Sequence, residues 1–298
     1  MATFLKIAAF FGAATTAFGA LAADSVQVLI LETSESFAHS PTVSEDGGPS
    51  LLERTIKQIV PKEWNVIATK DASTINAENL KKYQLVIFYT QGDLTKPNKT
   101  GTPQMGEKGV ADLLAWIEQG GGFVGFHSAT DTFRGEGDTV TPYTEMIGAE
   151  FAGHGKQFVG KVVVTDPNHP VMKHVPANWE LNEEWYTFRK FNKGALRVLA
   201  LLDCGEERKN QEMYNVPNYP IIWVRSLGKG RVYYSALGHR EDVWENPTFQ
   251  QTIMDALNWA LGEGPAVTER ALGKEVQGPQ ILPHDLPRQT ESCPRHVA

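Results

Sequence analysis

Gly120-Gly121-Gly122-Phe123-Val124-Gly125-Phe126-His127-Ser128-Ala129-Thr130-Asp131 decides how this chain is read. Three glycines stop a helix, a short apolar strand follows, and the strand runs without a spacer into a polar turn headed by a histidine. Just upstream, Val110, Leu113, Leu114 and Ile117 recur at i, i+3, i+4 and i+7, so residues 106–119 predict a helix with one apolar stripe for a sheet. These are the parts of an open α/β sheet, whose ligand sites lie beyond the carboxyl ends of its strands.

The alternation extends in both directions. Residues 25–31, 64–69 and 84–89 read as strands separated by helices at 51–60 and 76–82. Later strands are predicted at 157–164, 196–202, 220–227 and 231–237. A closing helix at 247–261 turns Phe249, Ile253, Leu257, Ala260 and Leu261 to one side. The expected fold is an open, mostly parallel flavodoxin-like sheet with helices on both faces. No internal repeat is visible.

With 298 residues, 41% hydrophobic and 21% charged, the composition is that of a globular protein. A net charge of -7 and the lack of a long basic run argue against a nucleic-acid partner. Residues 1–22 read as a secretory signal: Lys6, an apolar run broken by Gly12, Thr15, Thr16 and Gly19, then Ala20-Leu21-Ala22. The expected location is therefore secreted or periplasmic, with no stable membrane insertion once the signal is removed. Residues 23–264 then form one domain, and residues 265–298 a Pro-rich, charged tail. An oxidising compartment permits a Cys204–Cys293 disulfide, with two independent thiols as the equal alternative. Asn98-Lys99-Thr100 is a glycosylation sequon in a polar loop.

Gly120, Gly122 and Gly125 satisfy G-x-G-x-x-G, but they leave a helix and enter a strand, the reverse of the dinucleotide fingerprint. Residues 101–108 lack the Gly-Lys-Ser/Thr ending of a P-loop. Gly125-Phe126-His127-Ser128-Ala129 has the setting of a nucleophile elbow with His127 at its centre, and Ser128 is the weaker candidate.

Residues 121–131, Gly148-Ala149-Glu150-Phe151-Ala152-Gly153-His154, Asp166-Pro167-Asn168-His169-Pro170, Asn182-Glu183-Glu184-Trp185-Tyr186 and the run 228–239 ending in Gly238-His239 together resemble the ThuA-like, or trehalose-utilisation, family over residues 25–262. That resemblance implies a class I glutamine amidotransferase-like fold. It also implies carbohydrate chemistry rather than amidotransferase activity, because His127 stands where the amidotransferase cysteine would be.

The matching motifs nominate His127, Glu184, His239 and His154 as catalytic. They nominate His39, Asp131, Trp185 and Tyr186 as ligand-binding, with Trp185 and Tyr186 as an aromatic wall for a sugar. His169, before a proline, is read equally as a turn stabiliser; His174, His284 and His296 are read as surface residues. Three functions follow. In the first, an enzyme acts on a disaccharide or glycoside, including one already oxidised to a keto sugar, through His127 or His239 with Glu184 as acid–base partner, in the manner of an isomerase, epimerase or lyase. In the second, a divalent metal such as zinc sits among the histidines of a hydrolase or lyase, although no His-x-x-x-His spacing announces it. The third is a non-catalytic sugar-binding module supplied by Trp179, Trp185, Tyr186 and Trp244. A homo-oligomer is compatible with all three.

Overall fold

A computed structural model describes residues 25–44, 46–98, 100–192 and 196–267. The expected signal, the tail beyond residue 267 and Cys293 lie outside the described residues; Cys204 is buried. In chain order the elements are β1 (Gln27–Leu31), α1 (Leu51–Ile59), β2 (Asn65–Thr69), α2 (Ala77–Leu80), β3 (Leu85–Phe88), α3 (Gly109–Glu118), β4 (Gly122–Phe126), α4 (Pro142–Ile147), β5 (Glu150–His154), β6 (Phe158–Val164), β7 (Trp179–Glu183), β8 (Tyr186–Arg189), β9 (Arg197–Asp203), α5 (Glu207–Asn210), β10 (Tyr219–Leu227), β11 (Gly230–Ser235), α6 (Glu241–Trp244) and α7 (Pro247–Ala260). Among the described residues no helix is long and apolar enough to cross a membrane.

Nine strands form one open sheet in the order β2-β1-β3-β4-β11-β10-β9-β6-β7, and β5 pairs with β8 in a separate ribbon. The sheet is parallel from β2 to β11. From β11 onward it continues through antiparallel pairs. The antiparallel extension follows from connections too short to carry a crossover, such as the turn between β10 and β11.

Helices cover both faces, and β4 shows how. Its side chains alternate, so Phe126 packs edge-on against Phe249 of α7, while Phe123 meets Tyr143 of α4 from the other face. The parallel strands β3 and β4 are buried along their whole length, which is why they read as continuous apolar runs. Helix α1 is set by Ser50, whose hydroxyl accepts from the Glu53 amide. Helix α7 is set by Asn246, whose side chain accepts from Thr248 and Phe249.

Four strand spacings separate β11 from β7, roughly 19 Å in a flat sheet. Yet the Glu183 carboxylate at the end of β7 accepts from the Gly238 amide just past β11, at 2.8 Å. The antiparallel half therefore curls back over the carboxyl edge of the parallel half and makes a roofed corner there.

Candidate active site

Residues from six segments meet in that corner. His39 comes from the loop after β1, His127 from the turn after β4, and His239 from the turn after β11. Glu184 lies between β7 and β8, and the ribbon brings in His154 from β5 directly opposite Tyr186 of β8.

The elbow geometry at His127 is real. Its φ is 41°, a left-handed conformation that costs a non-glycine residue about 1–2 kcal/mol. The bend turns the imidazole off the strand line, where Nδ1 donates to the Ala236 carbonyl at 2.9 Å. That bond fixes the tautomer and leaves Nε2 as a bare lone pair facing the corner. Gly238, at φ 114°, makes the corresponding bend before His239.

Three ligand-type atoms then form a small triangle. His239 Nδ1 is 3.0 Å from Glu184 Oε2 and 3.3 Å from His127 Nε2, and His127 Nε2 is 3.5 Å from the same carboxylate oxygen. His39 joins them: one donor atom from each of His39, His127, Glu184 and His239 lies within 4.8 Å of the others. His39 Nε2 is 3.2 Å from the Tyr186 hydroxyl, while its buried Nδ1 has no hydrogen-bond partner. His154 Nδ1 contacts the other oxygen of Glu184 at 3.2 Å and stands outside the four-residue group.

Burial drives the His127 imidazole down to about 4, and burial together with the neighbouring His127 and His239 holds His39 well below the usual histidine range. Burial would raise the Glu184 carboxyl, but the imidazoles of His127 and His239 outweigh it and hold the group well below the carboxylate range. For His239 the Glu184 carboxylate outweighs burial and raises the ring. The corner thus holds a carboxylate and two neutral imidazoles, and His239 is the ring drawn towards its protonated form. His127 is neutral there and pairs with Glu184 only once it takes up a proton in acid, which is how it helps hold that carboxyl down.

Such a corner fits a cation. With ligand bonds of about 2.0–2.1 Å, tetrahedral zinc separates its ligand atoms by about 3.3 Å. The triangle edges of 3.0, 3.3 and 3.5 Å bracket that value. The unpartnered His39 nitrogen and the carbonyl-anchored His127 ring match the ligand and supporting roles such a site requires.

Trp185 does not form a sugar wall. Strand alternation puts Glu184 and Tyr186 on the site side and sends Trp185 into the core, where its N–H donates to the Phe158 carbonyl at 3.0 Å. Trp179 and Trp244 are also buried. Tyr186 does reach the site, with its ring centroid 3.9 Å from that of His127. Asp131 stands apart from the four-residue group, bound by Gln91 at 3.1 Å and Arg134 at 2.9 Å, and burial raises its carboxyl to about 6. His169 is a core residue beside Trp259, its Nδ1 accepting from the Val171 amide. His174 is exposed and faces Asp255.

Glu183 was not singled out from the sequence. It takes the inward place on β7 that Trp179 and Leu181 also hold. Its carboxylate accepts from the amides of Glu184, Gly238 and His239 at 2.7, 2.8 and 3.2 Å, so one buried group fixes the backbone beneath two site residues. Its only sequence signal is adjacency to Glu184 in Asn182-Glu183-Glu184.

Comparisons with known proteins agree with this architecture. A ThuA-like protein from Bacteroides uniformis superposes with a TM-score of 0.61 at 20% identity, covering 81% of this chain and 94% of that one. Another from Parabacteroides merdae gives 0.58 at 18% identity, covering 89% and 96%. No protein of curated function matches the chain in sequence. The model of the ThuA family, described as trehalose utilisation, matches residues 27–260, and the chain belongs to that family.

Proposed function

We propose that this chain is a metal-dependent, carbohydrate-active enzyme that acts on a disaccharide or glycoside, including one bearing a keto group. His39, His127, Glu184 and His239 hold its divalent cation, zinc by preference. The convergence of three imidazoles and one carboxylate, with their ligand atoms all within 4.8 Å of one another, supports this reading most. The family's description as trehalose utilisation supports the substrate class.

A cation bound there supplies Lewis-acid polarisation of a sugar oxygen. The chain supplies the rest. Glu183 holds the Glu184 and His239 backbones in register. His154, partly exposed and in contact with the outer oxygen of Glu184, is placed to carry a proton between sugar and solvent. Tyr186 covers the His127 ring and excludes water from it. Hydrolysis, isomerisation and elimination beside a carbonyl all draw on these roles. In this reading residues 1–22 direct export, and mature protein beginning at Ala23 would support it.

A second reading, acid–base chemistry without metal, is favoured by the 3.0 Å His239–Glu184 pair acting as a ready proton donor and acceptor. The two separate in a turnover assay on trehalose and a keto derivative of it before and after chelation. Activity that falls at least about 100-fold and returns with zinc supports the metal enzyme. Chelator-resistant activity supports the acid–base reading, and no turnover of any glycoside in the presence of zinc rejects both.

A further inference from the structure

A cavity of about 410 Å³ abuts the four-residue group on the side of His39 and His239, within the range of roughly 300–1,000 Å³ usual for small-molecule sites. Phe37, Val43, Arg54 and Glu241 complete its principal lining. Its walls differ in kind. Phe37 and Val43 are 46% and 44% exposed, unusual for large apolar side chains, and both belong to the loop that carries His39. The Phe37 ring stands edge-on to His39 with centroids 4.8 Å apart.

Phe37 is held rather than left to swing with its loop. The Gln91 side-chain oxygen accepts from the Ser36 amide, the Ser36 hydroxyl and the Phe37 amide, at 3.2, 2.9 and 3.2 Å. The amide nitrogen of Gln91 donates in turn to Asp131. The exposed aromatic side chain therefore has a backbone anchored from the same network that ends the β4 turn, at some cost in exposed apolar surface.

The polar wall carries one charge of each sign. Glu241 accepts a hydrogen bond from the Ser40 hydroxyl, and the Arg54 guanidinium is steadied by the Pro49 carbonyl at 2.7 Å. Sugar phosphates and uronates call for a cluster of cations or bidentate arginine pairing. Here the single arginine is offset by Glu241. A pyranose ring, with an apolar C–H face and a rim of hydroxyls, matches one apolar wall and one donor–acceptor wall.

We infer that this cavity seats the substrate's sugar ring against Phe37 and selects uncharged glycosides over phosphorylated or acidic sugars. The inference deepens the function proposed above and rests on it.

The test is calorimetric titration, with saturation-transfer NMR, of the purified protein. The probes are trehalose and methyl α-D-glucopyranoside against glucose 6-phosphate and glucuronate, with zinc content and melting temperature recorded in parallel. The uncharged probes are expected to bind more tightly than the charged ones. Phe37→Ala should weaken them about tenfold and Phe37→Tyr should restore them, both with wild-type melting temperature and zinc content. Tighter binding of a charged probe, or an affinity indifferent to Phe37→Ala, overturns the subsite. Stoichiometric zinc with none of the four probes bound also overturns it while leaving the metal centre standing. Metal-free protein that binds trehalose through Phe37 does the opposite: the subsite holds and the metal reading fails.

Discussion

Glu150 and Glu184 are both buried carboxylates next to the same two-stranded ribbon, and their surroundings differ in kind. Glu150, at the start of β5, is met by the Arg189 guanidinium, by Lys190 Nζ at 3.0 Å and by the Gly135 amide at 2.9 Å. Those cations are permanent and the amide is fixed, so the charge is fully matched. Glu184 is ringed by His127, His154 and His239, two of which also face each other. Imidazoles offer lone pairs as readily as protons. A buried carboxylate saturated by arginine and lysine holds a fold together; one surrounded by imidazoles is prepared for a cation or a moving proton.

The largest expected effect exchanges the two roles. Glu150→Gln leaves Arg189 and Lys190 unmatched and should cost about 3–5 kcal/mol in urea unfolding, with zinc affinity unchanged in the fraction that folds. Glu184→Gln should instead abolish stoichiometric zinc, at a smaller cost in stability than Glu150→Gln because it leaves no arginine or lysine unmatched. If Glu184→Gln unfolds the protein and Glu150→Gln releases zinc, the contrast is lost.

A smaller effect is expected at Glu183, which touches only backbone. Glu183→Gln keeps an acceptor but weakens three amide contacts, so zinc affinity should fall about 10–100-fold in competition with a chromophoric chelator while the fold persists. An unchanged affinity would show that the turn bearing His239 holds itself.

The smallest concerns the core histidine. Burial lowers His169 to about 4, against about 6.5 when unfolded. Between those values the unfolded chain binds a proton that the folded chain refuses, so this residue subtracts stability as pH falls through about 6.5 towards 4. His169→Gln should therefore lose less stability than wild type between pH 7 and pH 5, by about 2 kcal/mol in paired urea titrations. The carboxyls raised by burial, Glu32 and Glu183, have the opposite sign but are common to both proteins and cancel in the difference.

The parallel half of the sheet was legible because strands buried on both faces leave continuous apolar runs, as residues 27–31, 85–88 and 122–126 do. Strands β5, β7 and β8 escaped notice. Glu150–His154 and Trp179–Glu183 mix charge, glycine and aromatics, and their pairing partners are distant in sequence. Missing that ribbon had a direct consequence. Without the alternation across residues 184–186, Trp185 looked like a sugar wall, whereas Phe37 supplies the exposed ring. His127 and His239 could be picked out because each follows a strand that reaches the carboxyl edge. Glu183 could not, since its importance lies in amides brought to it by the curl of the sheet.

The most direct measurement is elemental mass spectrometry of the purified protein beside His127→Ala and His239→Ala, all exchanged against trace zinc. About one zinc per folded wild-type chain is expected, with substoichiometric metal in both variants. A folded wild type that retains no metal, or variants that retain as much as wild type, would contradict it.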